Sequence, residues 1–226
     1  VSTAARIDHL VVLADSLEAG AAWCEATLGV VPGPGGSHPL MGTHNRLLGI
    51  GTPQLPRAYF EIIAIDPGAA PRRAHRWFDM DDAGLREAVR IHGPRLVHFV
   101  AEVSDVQAAC AAWGRQGIER GEAVAASRDT PRGLLQWRLT VREDGQRLFD
   151  GCLPTLIQWG QAHPSAGLAP SALALRSLSV THPQAEALRA AYRAVGLDVP
   201  VTEGPANLRA VLDTPRGPVA LDSQGL

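Results

Sequence analysis

Three ionisable side chains stand inside runs that otherwise read as buried β-strand: His9 in RIDHLVVL, His98 in RLVHFVAE and Glu61 in YFEIIAID. Burying such groups costs free energy unless each finds a partner, so they are expected to explain one another. Two imidazole nitrogens and one carboxylate make a donor set that suits a divalent first-row metal and leaves positions open for water or substrate. With a metal acting as Lewis acid on a small oxygen-chelating substrate, Glu61 or a displaced ligand would move the proton, and Glu61 is the catalytic candidate. The same residues also fit a metal-free arrangement, either a hydrogen-bonded core, an ion pair or an acid–base pair. A second cluster, THNR, opens a strand, and strand alternation puts Thr43 and Asn45 on one face and His44 and Arg46 on the other. All four are candidate substrate-binding residues. Arg46 suits a carboxylate because its guanidinium presents paired donors. Trp137 is a candidate for the facing wall, and Gln158 for a weak fourth ligand or a group that orients one.

The elements that must position these residues recur along the chain. DHLVVLADSLEAGAAW (8–23) is echoed by VHFVAEVSDVQAACAAW (97–113), each an apolar strand with His second, a Ser/Asp turn and an Ala-rich segment ending in AAW. A weaker third copy, LRSLSVTHPQAEALRAAY (175–192), has Ser177 where the second has His98. The Ala-rich segments read as helices, with Asp15 or Ser16, and Ser104 or Asp105, as N-caps. Short apolar runs bounded by Gly, Pro and charged residues follow each helix, so every unit reads β-α-β-β-β. If the first two units pair about a pseudo-twofold axis, their first strands become neighbours and His9 and His98 converge. The expected fold class is α+β: paired βαβββ modules (1–66 and 94–160) form a cupped, mixed eight-stranded sheet. A linker with one helix from Asp82 to about Ile91 (67–93) joins them, and a third, shorter module (161–226) follows. The pentapeptide DTPRG occurs twice and reads as a hairpin turn.

With 226 residues, 46% of them hydrophobic, and a net charge of -2, the chain has neither the basic footprint of a nucleic-acid binder nor an apolar run near the roughly 20 residues of a membrane span. Nucleic acid and membrane are therefore not expected partners; a small molecule is, and a homodimer is an expected assembly. Three cysteines without close-spaced pairs fit a reducing, cytoplasmic compartment, and none has a base nearby in sequence that would make it reactive.

IDHLVV, HPLMGTHNRLLGIG, YFEIIAIDP, RWFDMD and LPTLIQWG together resemble the bacterial glyoxalase-like domain proteins of the vicinal oxygen chelate superfamily, which includes glyoxalase I and extradiol dioxygenases. The resemblance spans essentially the whole chain. It implies a site within the cup, with metal ligands drawn from first and last module strands at His9, Glu61 and His98 and a fourth place near Gln158. Gln158 departs from a four-ligand glyoxalase I pattern. A divalent ion (Zn, Ni, Mn or Fe) and no organic cofactor is the implied requirement. Lyase, isomerase and dioxygenase chemistry all remain open, and a metal-free small-molecule binding or sequestering protein is the alternative.

Overall fold

The computed structural model describes residues 4–130 and 132–224. Apolar runs become β1 (Arg6–Leu13), β4 (Tyr59–Ile65) and β5 (Arg95–Glu102); the Gly- and Thr-led segments become β2 (Gly33–His38) and β3 (Thr43–Gly49). The second repeat continues with β6 (Glu122–Thr130), β7 (Gly133–Val141) and β8 (Thr155–Trp159). These strands form one mixed sheet in the order β2-β3-β4-β1-β5-β8-β7-β6, so the first strands of the two repeats lie side by side at its centre. β1 runs antiparallel to β5, while β1–β4 and β5–β8 are parallel, as a twofold relation requires.

Helices α1 (Leu17–Leu28) and α3 (Val106–Gly114) start where hydroxyl and carboxylate caps satisfy free backbone N–H groups. Ser16 Oγ accepts from Ala19 N at 3.1 Å, and Asp105 Oδ1 from Gln107 and Ala108 N at 3.0 Å each. A smaller sheet, order β10-β9-β11-β12, is built from β9 (Ala174–Thr181), β10 (Val201–Thr202), β11 (Asn207–Thr214) and β12 (Gly217–Asp222), with α4 (Ala185–Val195) after its first strand. This unit shares a core with the helix side of the large sheet. Leu10, Phe60, Phe99 and Trp113 pack with Leu178, Leu188 and Tyr192, and Trp113 Nε1 donates to Ala191 O at 2.8 Å. The DTPRG segments are hairpins, with Thr130 and Thr214 hydroxyls each donating to the glycine carbonyl three residues on at 2.7 Å; Pro131 lies outside the described residues.

One glycine sets how closely α1 approaches the sheet. A Cβ at Gly20 would stand 2.4 Å from Ile62 Cγ2 and 3.0 Å from Ala14 Cβ, both on residues sealed in the core. Gly20→Ala is therefore expected to destabilise the protein by about 1–3 kcal/mol despite the better helix propensity of Ala. Urea unfolding would check it, and an unchanged or raised midpoint would contradict so tight a contact.

The opposite face of the large sheet is the cup, and the segment between the repeats fills part of it. Trp77, Phe78 and Met80, with Leu85 and Val89 of α2 (Ala83–His92), join Val11, Leu13, Ile63, Val100, Leu139 and Ile157 in a second core. Phe78 and Asp79 take positive φ values of 59° and 56°, a turn that brings the aromatic pair back onto the strands.

Candidate functional site

The chemistry-bearing side chains reach the cup through a fault in strand pairing. Between β1 and β5, Ile7 faces Ala101 and His9 faces Val100, leaving Asp8 as an extra, bulged residue. The bulge lets adjacent Asp8 and His9 serve one site. His9 Nδ1 donates to Asp8 Oδ1 at 2.6 Å, while Asp8 Oδ2 accepts from His163 Nε2 and Trp159 Nε1, each at 2.9 Å. Asp8 is 2% exposed. Burial alone would raise its carboxyl, but the hydrogen bonds from His163 and His9 outweigh it and hold Asp8 well below the usual carboxylate range. With Nδ1 so engaged, His9 presents Nε2 to Glu61 Oε2 across 3.6 Å. The other oxygen, Glu61 Oε1, accepts from Asn45 Nδ2 at 2.5 Å, and Asn45 Oδ1 accepts from Gly36 N at 2.8 Å. Tyr59 stacks on the His9 ring with centroids 4.4 Å apart, and burial first, then the charges of Asp8 and Glu61, raises its hydroxyl and keeps it protonated.

His9, Asn45, Tyr59 and Glu61 line a cavity whose other walls are Trp77, Phe78, Trp137, Trp159, His38 and Arg128. Its volume, about 40 Å³ of space for the centre of a water molecule, is room for about three waters or the reacting end of a small molecule. At 3.6 Å the Glu61 and His9 groups stand within ion-pair range but beyond a hydrogen bond, and both residues line the cavity.

His98 does not join this pair. Its Nδ1 donates to Gly151 O at 2.9 Å and its Nε2 accepts from Thr155 N at 3.0 Å; the Arg120 guanidinium lies 3.3 Å from the same nitrogen. Arg120 Nη2 also donates to Thr155 Oγ1 at 2.6 Å, and Nε to Pro154 O at 3.0 Å. Register explains the asymmetry: Val11, two residues past His9, faces Glu61, and Val100, two past His98, faces Thr155. Thr155 is thus the counterpart of Glu61, and a buried guanidinium stands in the second half-site. Gln158 faces the helix side beside Arg138, where its Oε1 accepts from Val106 N at 3.0 Å and caps α3. His9, Glu61 and His98 therefore do not fit a single metal centre, and Gln158 is no ligand to one. Among the described residues, the grouping whose donor atoms approach within 4.8 Å of one another is Asp8, Glu102 and His163. To hold a divalent ion there, His163 Nε2 would have to give up the hydrogen bond it makes to Asp8 Oδ2.

The enclosure of His98 has a consequence for stability. Burial, and next the charge of Arg120, lowers its pKa well below 6.5, so the folded protein keeps His98 neutral where the unfolded chain takes up a proton. This contribution is complete above pH 6.5 and is lost as pH falls below it, at about 1.4 kcal/mol per pH unit. Urea unfolding between pH 7 and 5 would show it, and an equal slope in His98→Gln would assign the effect elsewhere.

Of the THNR cluster, Asn45 lines the cavity, while Thr43 lies buried on the same face with its hydroxyl 3.1 Å from His38 Nδ1. His44 and Arg46 pair with Ala64 and Ile62 on the helix side, near Glu18, and are not cavity residues. Trp137 is, with Trp159 beside it at 5.7 Å. Sequence reasoning missed Asp8, His38, Tyr59, Arg128 and His163. For Asp8 a signal existed: the two repeat strands read DHLVV and VHFVA, so only the first histidine has a carboxylate before it. Burial pushes the Cys24 and Cys152 thiols up to about 12, which suits packed, unreactive side chains.

A family model described as a glyoxalase-like domain matches residues 7–196. No curated protein matches the chain. Among solved structures, a hypothetical protein from Staphylococcus aureus is similar at 15% identity and a TM-score of 0.59, covering 96% of this chain and 85% of that one. A Streptomyces coelicolor methylmalonyl-CoA epimerase variant in complex with 2-nitronate-propionyl-CoA is 16% identical, with a TM-score of 0.42, over 70% of this chain and 96% of that one. The S. aureus likeness is one of fold. With a matching model over most of its length and a cupped sheet of paired repeats, the chain belongs to the glyoxalase-like domain family of the vicinal oxygen chelate superfamily.

Proposed function

We propose that the chain is an enzyme of isomerase or lyase type that moves a proton on a small oxygen-bearing molecule, with Glu61 as base and His9 as acid. The observation that carries this reading is the placement of Glu61 Oε2 and His9 Nε2 3.6 Å apart at one cavity, Glu61 held at its other oxygen by Asn45 and His9 at its other nitrogen by Asp8. Glu61 Oε2 takes a proton from a carbon next to a carbonyl. The C–H electron pair becomes a carbon–carbon double bond while the π pair of the carbonyl moves onto its oxygen, which accepts a proton from His9 Nε2. Asp8 supports the imidazolium that gives this proton, and reversal returns the proton to carbon. Fixed donors and acceptors of this kind lower the reorganisation that the reaction demands. No step is routed through a metal, because His98 has both nitrogens engaged.

The test is deuterium incorporation. Wild-type protein in D2O, incubated with small 2-oxo and 2-hydroxy acids, is expected to exchange the carbon-bound hydrogen next to the ketone of the former or the carboxyl of the latter, read by loss of its proton NMR signal. The rate is expected to persist in excess EDTA, and its abolition by chelator would contradict the metal-free mechanism. The aromatic walls supply a second reading, a binding protein without chemistry. Quenching of tryptophan fluorescence by the same acids with no deuterium uptake would establish that reading instead.

A further inference from the structure

The two edge strands of the cup come together where Gly36 meets Arg128. Arg128 of β6 packs onto Gly36 of β2 so closely that a Cβ at Gly36 would lie 2.0 Å from Arg128 Nη1. A methyl group at that position would push the guanidinium aside. Nη1 is buried and takes no hydrogen bond among the described residues. The side chain lines the same cavity as His9 and Glu61, and its charge, after burial, helps to lower the His38 pKa. A guanidinium with an unfilled buried N–H seeks an anionic acceptor of planar, two-oxygen shape. The cavity also holds Glu61, with Asp8 behind it, so an anionic molecule enters only if a cation offsets them.

We propose that Arg128 is the specificity-determining residue of this site, binding a carboxylate of the substrate across the cavity from Glu61. The substrate class is then a small oxo- or hydroxy-carboxylate rather than a neutral aldehyde or ketone. The recognition rests on the cavity geometry; only the role of the substrate's other end rests on the proton-transfer reading.

The probes are acetate and its neutral isostere acetamide, followed by quenching of Trp77, Trp137 and Trp159 in 0.15 M salt. Acetate is expected to bind saturably, acetamide at least tenfold more weakly. Arg128→Gln is expected to raise the acetate Kd at least tenfold. Gly36→Ala, which keeps the charge but displaces it, is expected to raise it several-fold, whereas Arg115→Gln on the exposed surface changes nothing. Equal affinity for the two probes, no saturable binding of acetate by wild type, or equal acetate affinity in wild type and Arg128→Gln would overturn the proposal. Glu61→Gln is expected to keep or tighten acetate binding while losing deuterium exchange. Failure of exchange in wild type with Arg128-dependent binding intact would sink the proton-transfer reading alone.

Discussion

Glu61→Gln is expected to slow deuterium incorporation by about 10²- to 10⁴-fold, the range that a positioned general base supplies, with little change in unfolding midpoint. The substitution is nearly isosteric. Its amide oxygen can still accept from Asn45 Nδ2, so the tie that holds the side chain in the strand survives. The other end becomes an NH2 group facing His9 Nε2, which can donate a hydrogen bond but cannot take a proton. The residue is 5% exposed, so removing a negative charge there also relieves a desolvation cost, and the variant is expected to fold at least as well as wild type. Exchange within threefold of wild type would contradict Glu61 as the base.

His98→Ala is expected to do the reverse, lowering stability by about 2–4 kcal/mol while the folded fraction keeps exchange within about threefold. The ring satisfies the Gly151 carbonyl and the Thr155 N–H, and it faces the Arg120 guanidinium. Its removal leaves all of them short of a partner in a site closed to water, next to a void beside Phe78, whose ring centroid lies 5.1 Å away. Arg120 makes the loss worse. Burial lowers it to about 10, and among the described residues it has no carboxylate partner, so it depends on neutral acceptors. Urea unfolding gives the first quantity and exchange at a temperature well below unfolding gives the second. A loss of exchange equal to that of His9→Ala would restore His98 to the catalytic site.

The duplication, its helices and the cupped sheet were legible because they rest on periodicity that survives in each copy: DHLVV against VHFVA, AAW against AAW. The pairing of His9 with Glu61 was legible for the same reason, since each is ionisable among apolar neighbours. The divergence of His98 was not legible, because it depends on register. Gln158 lies three residues past Thr155, and an odd offset turns a strand residue to the other face. Strand alternation also hid Asp8, which belongs to the wrong face until a bulge turns it. Arg120 and His163 come from loops whose path no local pattern specifies. The face division of Thr43 and Asn45 from His44 and Arg46 was readable, but which pair met the cup was not.

On the function proposed above, the first repeat holds the reactive pair while the second has its histidine locked within the protein. Long-range proton–nitrogen NMR of the imidazoles tests it most directly. The claim predicts that His98 stays neutral with its proton on Nδ1 from pH 8 to 5 and that its nitrogens do not shift when Zn²⁺ is added. A His98 that titrates near pH 6.5, or that shifts together with His9 on adding the ion, would contradict it.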